Sequence, residues 1–291
     1  MDLTIEVVNI YDESVDVELR NLIKAAFNSA NLLSPGHLAN NIKSNATKPS
    51  FFLAAKQNGT IVGCNAFLAN DFTLNDHPSV GYQSCWSATH PAHRGKGIFA
   101  GIITEAKKIL KQEGAGFIYG LANDNSHPIF VNKLGFQEIP SVVTRIYNLP
   151  FFKNLSTQAN AIDKTDVCII NESQVKEHKA LQFPTEVKTF THNNSWVWGK
   201  LKNKVKFGIK LPVFYAGGFY LADKNDLKFL IAKIFNANKV LFIQVLSCGS
   251  NNLNPLFKGW KISKMNPYIF YNLNMPSFKH FNISLGAIDV F

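Results

Sequence analysis

Residues 87–110, SATHPAHRGKGIFAGIITEAKKIL, set Arg94, Gly95, Lys96 and Gly97 between what reads as a strand end and the start of an amphipathic helix. That arrangement is an anion site on physical grounds. The N–H groups of a first helical turn lack intrahelical partners, and the helix dipole favours negative charge beside them. Glycine lets a ligand reach the backbone with no Cβ in the way. Two familiar phosphate loops do not fit. A Walker loop needs Gly-Lys followed by Ser or Thr, and here Gly97 follows Lys96. Ala100 does complete a dinucleotide-type GKGIFA, yet the elements before it read as antiparallel hairpin rather than a βαβ unit. An ordinary tight turn is the competing reading.

The elements around this loop follow from periodicity. LTIEVVNI has a strand's β-branched content, and SVDVELRNLIKAAFNSA puts Val15, Leu19, Leu22, Ile23, Ala26 and Phe27 on one helical face. In SFFLAAKQNGTIVGCNAFLAN two apolar runs flank Asn58-Gly59, a pair that tolerates positive φ in a two-residue hairpin turn. VGYQSCWSATH reads as a strand entering the glycine loop. Ile98, Phe99, Ile102, Ile103, Ala106, Ile109 and Leu110 then recur at helical spacing, with Gly114 as a stop. GFIYGLAN reads as a buried strand, SHPIFVNKL as a short helix and FQEIPSVVTRIYNL as a final strand. Residues 1–148 thus make a mixed α/β domain, and 149–166 a polar linker. Residues 167–291 repeat the theme weakly: DVCIIN, a polar stretch through NNSWVWGKLKNK, a hairpin VFYAGGFYLA, a helix DLKFLIAKIF and a strand KVLFIQVLS, closing with NPYIFYNLN and the tail SLGAIDVF. The expectation is a diverged duplication.

Composition narrows the partners. The net charge is +10, almost wholly from dispersed lysine, since the arginines are Arg20, Arg94 and Arg145. Lysine attracts anions but reads base edges less well than the arginine fork, so polyanionic small molecules are favoured over nucleic acid. No apolar run approaches the roughly 20 residues of a spanning helix, and the opening residues lack a signal-peptide pattern. Cys64, Cys85, Cys168 and Cys248 have no paired spacing, which argues against a zinc site or a disulfide framework. The expectation is a cytoplasmic protein with reduced thiols and no metal.

HPAHRGKGIFAGIITEAKKIL followed by FIYGLANDNSHPIFVNKLGFQEI resembles the GNAT superfamily of acyl-CoA N-acyltransferases. The family's core motif reads Arg or Gln, two residues, Gly, one residue, then Gly or Ala. Arg94 and Gly97 fill the first two fixed places, and Phe99 departs at the third. Asn123 and NKLGF match a second signature. The resemblance implies that the N–H groups of Arg94, Gly95, Lys96, Gly97, Ile98 and Phe99 cradle the CoA pyrophosphate, with the pantetheine arm beside CWSAT. It also implies that Asn123, Asn125 and Ser126 contact the pantetheine or the acyl end. A helix cap is the alternative for Asn125 or Ser126.

Acyl transfer to an amine needs a neutral amine, a stabilised oxyanion and a leaving thiolate. N–H groups of Ser87, Ala88 and Thr89 are candidates to polarise the thioester carbonyl. His90 is the first candidate base, ahead of His127 and Asp124. Many relatives carry a tyrosine as thiolate acid where this chain has Val131, beside Phe130, so that acid is missing.

The variant loop, the YGLANDNSHPIFVNKLGF stretch and the ending GAIDVF look like GNAT-type proteins of bacterial surface-polysaccharide pathways. That likeness implies a second, degenerate GNAT-like domain walling the acceptor site. It further implies transfer of acetyl or 3-hydroxybutanoyl to a nucleotide-linked amino sugar, such as a dTDP-3-amino-3,6-dideoxyhexose, for lipopolysaccharide or capsule. Trp196, Trp198, Tyr268, Tyr271 and Asp289 are the candidates for gripping that acceptor, with core packing as the alternative for the aromatics. Competing readings are a peptide, protein or polyamine acceptor, and a non-catalytic CoA-binding module. A monomer and a homodimer are both compatible with the sequence.

Overall fold

The computed structural model describes residues 3–44, 46–139, 141–147, 167–206, 208–223, 225–248, 261–264, 267–276 and 280–282. The first elements are β1 (Leu3–Val8), α1 (Glu13–Phe27), α2 (His37–Ile42), β2 (Phe51–Gln57), β3 (Thr60–Leu74) and β4 (His77–Thr89). Next come α3 (Ile98–Gln112), β5 (Phe117–Leu121), β6 (Gln137–Ile139), β7 (Ser141–Tyr147), β8 (Val167–Ile170) and α4 (Glu172–Gln182). The remainder are β9 (Val187–His192), β10 (Ser195–Lys206), β11 (Ile209–Tyr220), α5 (Asp226–Asn238), β12 (Phe242–Cys248), β13 (Lys261–Lys264), β14 (Tyr268–Asn272) and β15 (His280–Asn282). The chain divides into two units: residues 1–72, 78–138 and 268–276, and residues 73–77, 139–267 and 277–291.

The first unit is a sheet in the order β1-β2-β3-β4-β5-β14-β6, covered on both faces. On one face Ile98, Ile102, Ile103, Ala106 and Leu110 of α3 pack on Leu53, Phe67, Tyr82 and Ile118. On the other, Leu19, Leu22 and Ile23 of α1 and Leu38 and Ile42 of α2 pack on Phe52, Ala54, Cys64 and Cys85. Coverage of both faces explains why β2 and β3 read as unbroken apolar runs rather than alternating ones. The Asn58-Gly59 hairpin forms as its sequence predicts: Asn58 has φ 52°, Gly59 φ 79°, and Gln57 pairs with Thr60. Asp12 caps α1 by accepting from the Ser14 N–H, and Asn28 ends it in the left-handed region.

The second unit is built on a sheet in the order β13-β7-β12-β11-β10-β9. Its core lies between one sheet face and α5, where Leu227, Leu230, Ile231 and Ile234 meet Ile146, Phe214, Ala216, Ile243 and Val245.

Three expectations change. FQEIPSVVTRIYNL is not one strand: β6 closes the first sheet, and β7 pairs with β12 and β13 in the second. The domain cut expected at residue 148 is crossed in both directions, because β7 belongs to the second sheet while β14 inserts between β5 and β6 of the first. The linker expected at 149–166 lies outside the described residues. Finally, VFYAGGFYLA is no hairpin; it continues the single strand β11. Its glycines make room rather than a turn. A Cβ on Gly217 would sit 2.5 Å from the Trp198 ring, and one on Gly218 would sit 2.0 Å from the Glu172 carboxylate.

Candidate active site

The site is built where β4 runs into α3. β4 and β5 are parallel neighbours, but their ladder covers only Gly81↔Phe117, Tyr82↔Ile118 and Gln83↔Tyr119, while β4 runs on to Thr89. In that extension Trp86 takes φ 50°. A bulky residue in the left-handed region is a true outlier, and such strained positions cluster at functional sites. The Trp86 ring stands edge-on to His37 of α2, with centroids 5.7 Å apart. Behind the extension, fully buried Asn65 accepts from the Ser84 hydroxyl at 3.1 Å and from the Ser87 hydroxyl, and gives its own amide N–H to the Ala66 carbonyl at 2.8 Å. Ser87 and Thr89 are half-buried, and Ala88 is buried in the core.

The glycine loop follows. Residues 94–97 are exposed, and Gly95 and Gly97 both have φ 76°. Gly97 caps α3 without any side-chain hydrogen bond, and Gly101 N–H is the one that reaches back to the Gly97 carbonyl, at 2.9 Å. A Cβ at either glycine would meet nothing within 4 Å. The loop therefore looks outward over open space, and the first-turn amides of α3 carry no cap from a side chain. Phe99, the departure from the family motif, turns inward: its ring meets Phe130 edge-on at 5.2 Å. Ile98 is buried, so only its backbone is available to a ligand. The Arg94 guanidinium donates to the Ala26 carbonyl near the end of α1, which anchors the loop to the fold.

At the end of β5, Asn123 and Ser126 cap each other. Asn123 Oδ1 accepts from the Asn125 and Ser126 N–H groups, both at 3.0 Å, and Ser126 Oγ accepts from the Asn123 N–H at 3.1 Å. This is a reciprocal capping box, so the capping role expected of Asn125 or Ser126 falls mainly to Asn123. Asp124 is exposed.

The two histidines differ in what they can do. His90 Nδ1 accepts from the Ala92 N–H at 3.3 Å, so the lone pair of the neutral ring is already engaged and Nε2 holds the proton. Neighbouring His93 has its pKa lowered, chiefly by desolvation and then by the charges of Lys96 and His90. His127 Nε2 lies 2.9 Å from Glu138 Oε2 of β6. With Nε2 donating to that carboxylate, Nδ1 of the neutral ring keeps its lone pair for a substrate proton. Glu138 and the left-handed Trp86 were not legible as site features. Only Asn65, a polar residue inside the apolar GCNAFL run, carried a signal.

The residues expected to grip an acceptor belong to different units. Trp198 is fully buried in the second unit, with Nε1 donating to Glu172 at 3.3 Å. Tyr268 is fully buried in the first sheet opposite Leu121. Neither ring can stack on a ligand, so packing accounts for both. Tyr271 is also in the first sheet, under the Lys107 ammonium 3.6 Å from its ring centre. Trp196 stays half-exposed beside Tyr220, with ring centroids 6.3 Å apart. Asp289 lies outside the described residues.

Residues 17–136 match the family model described as Acetyltransferase (GNAT) family. A GCN5-related N-acetyltransferase from Kribbella flavida aligns over 94% of this chain and 71% of its own, at 9% identity and a TM-score of 0.64. Another from Anabaena variabilis ATCC 29413 aligns over 94% and 73%, at 11% identity and TM-score 0.63. Eis1 from Mycobacterium abscessus aligns over 94% and 74%, at 12% identity and TM-score 0.59. No curated protein matches the chain. Residues 17–136 form a GNAT-fold acyltransferase domain, of the class that takes acyl groups from CoA. The alignments to solved structures extend the shared fold over nearly the whole chain.

Proposed function

We propose that the protein is a cytoplasmic N-acyltransferase that moves an acetyl or 3-hydroxybutanoyl group from CoA to the amine of a nucleotide-linked amino sugar, in the synthesis of lipopolysaccharide or capsule. The observation that carries the donor half of this reading is the bare mouth of α3. Outward-facing glycines and uncapped first-turn amides fit a pyrophosphate, and the β4 extension past its ladder gives the pantetheine amides a strand edge to pair with. When bound, the thioester supplies an activated acyl group. The chain's own residues then have three tasks. Backbone N–H groups of residues 87–89 are the candidates to polarise the thioester carbonyl, and Asn65 fixes the strand they sit on. His127, oriented by Glu138, takes the proton of the incoming ammonium or its adduct at Nδ1. Val131 offers no proton to the sulfur, so the group leaves as thiolate or is protonated by water.

The second unit supports a degenerate copy of the first. β11, α5 and β12 repeat the course of β4, α3 and β5: a long strand, a crossover helix, and a parallel partner joined over a short ladder. The difference lies at the helix mouth. Where α3 begins on bare glycine, α5 begins on Asp226, whose carboxylate accepts from Ser195 Oγ at 2.7 Å and Asn193 Nδ2 at 2.9 Å. A buried carboxylate at that position repels a phosphate. On this reading the second unit is a copy without a donor site and serves the acceptor.

Thiol release from acetyl-CoA and 3-hydroxybutanoyl-CoA, measured against a panel of nucleotide-linked amino sugars, peptides and polyamines, tests the reading. Turnover confined to amino sugars is expected. Turnover with a peptide or polyamine alone would replace the acceptor, and CoA binding without transfer would leave a binding module.

A further inference from the structure

The face of the second sheet that turns away from α5 carries a row of polar side chains across its strands. Lys200 of β10 pairs in register with Tyr215 of β11, Tyr215 with Gln244 of β12, and Gln244 with Arg145 of β7. Register partners share a face, so these four residues line up, and Lys202 and Lys204 follow Lys200 along the same side of β10. α4 and the chain after it occupy one end of this face. Trp198 meets Glu172 there, and Lys200 is buried against the Phe183 ring and paired with Glu186 at 3.2 Å.

Beyond that end the row opens. Lys202 Nζ and Lys204 Nζ stand 5.7 and 5.8 Å from the centre of the Tyr215 ring. Lys204 Nζ and the Arg145 guanidinium stand 5.9 and 5.7 Å from the centre of the Phe242 ring. Arg145 also donates through Nε to Gln244 Oε1 at 3.2 Å, which fixes its plane. Three cations therefore converge on two neighbouring rings. Desolvation lowers the pKa of both lysines; Glu186 offsets this for Lys202, whereas for Lys204 the next contribution is the like charge of Arg145. Like charges held this close in a half-buried setting repel, and an anion between them removes the repulsion.

We propose that Lys202, Lys204 and Arg145, with Tyr215 beneath them, form a binding site for the diphosphate of a nucleotide other than CoA. Identifying that ligand with the acceptor rests on the function proposed above; the site itself rests on the cation geometry. Arginine supplies the planar fork and the lysines supply point charges, a combination suited to two adjacent phosphates.

The test is equilibrium binding of dTDP, inorganic pyrophosphate and acetyl-CoA to the full chain and to three variants. Lys202→Gln/Lys204→Gln removes two cations, Lys204→Arg keeps the charge, and Lys210→Gln removes a lysine of the same hairpin that alternation places on the opposite face. dTDP and pyrophosphate should compete, and the double variant should weaken both by about tenfold or more, the scale of one charged hydrogen bond. Lys204→Arg, Lys210→Gln and acetyl-CoA binding should stay at wild-type level. Equal dTDP affinity in the wild type and the double variant, no binding of either diphosphate, or a loss that falls on acetyl-CoA instead would overturn the site. The two proposals fail separately. Diphosphate binding that depends on Lys202 and Lys204, without acylation of any amino sugar, sinks the acceptor reading alone. Acylation of an amino sugar together with unchanged dTDP and pyrophosphate affinity in the double variant sinks the site alone.

Discussion

At the scale of single residues, the side chains that decide the chemistry are the ones whose partners lie far away in sequence. Of three candidate bases, His127 alone pairs with a carboxylate, and that carboxylate comes from a different strand. His127→Ala should lower kcat by about a hundredfold to a thousandfold, and Glu138→Gln by less. His90→Ala, which removes a cap on the Ala92 N–H, should cost far less. Steady-state kinetics at neutral pH checks the order, and at alkaline pH the His127→Ala deficit should shrink because the amine sheds its own proton. A steeper loss for His90→Ala would return the base to that residue. A second titration concerns stability. His178 of α4 is buried with its Nε2 unpaired, and burial, helped by the Lys179 charge, holds its pKa down at about 4 against an ordinary 6.5. Between those values the unfolded chain takes the proton and the folded one does not. Stability is therefore full above pH 6.5 and falls as the pH drops towards 4, by up to about 3 kcal/mol. Denaturant midpoints measured between pH 7 and 4.5 should show that fall in the wild type and a flatter profile in His178→Gln.

At the scale of elements, the glycine loop and its flanks were the most legible part. Gly95 and Gly97 are needed for their left-handed φ of 76°, where a side chain costs about 1–2 kcal/mol. Gly97→Ala should act mainly on the KM for acyl-CoA, with the loss of Tm limited to the strain of a side chain at that φ, since a Cβ there meets nothing else in the folded chain. Asn123→Ala should do the reverse. It removes the acceptor for two N–H groups and so costs about 1 kcal/mol of stability, read as a lower denaturant midpoint. Helices α1, α3 and α5 and the Asn58-Gly59 hairpin were visible because their signals are local: a 3.6-residue period, a cap, a turn pair. The Gly-Gly pair in β11 misled because two glycines look alike whether they turn a chain or admit a neighbour's ring. Here the neighbour is Trp198, many residues away. The left-handed Trp86 was invisible for a similar reason, since no local preference of tryptophan calls for φ 50°.

At the scale of the whole molecule, the two sheets each complete themselves with a strand from outside their own run of sequence. β14 sits antiparallel beside β5, and β7 sits antiparallel beside β12. Sequence pattern alone could not show this. A buried strand reads the same whichever sheet it joins, and the cut at residue 148 simply followed the first polar stretch after it. The consequence for dissection is direct. A fragment of residues 1–139 lacks Tyr268, Ile269 and Phe270, all nearly fully buried, each contributing about 1.5–3 kcal/mol. It should be aggregated or unfolded and bind no CoA, as read by circular dichroism and sedimentation. Supplying a peptide of residues 266–276 in trans should recover solubility. A fragment that is folded and monomeric without the peptide would show that the inserted strand is dispensable.

The same insertion sets an order on biosynthesis. While the ribosome is still making the C-terminal third, β5 has emerged but its neighbour has not, so the nascent sheet waits with an apolar edge exposed. Release of residue 272 closes that gap. Premature termination anywhere before it should send the product to chaperones or proteases rather than yield a smaller working enzyme.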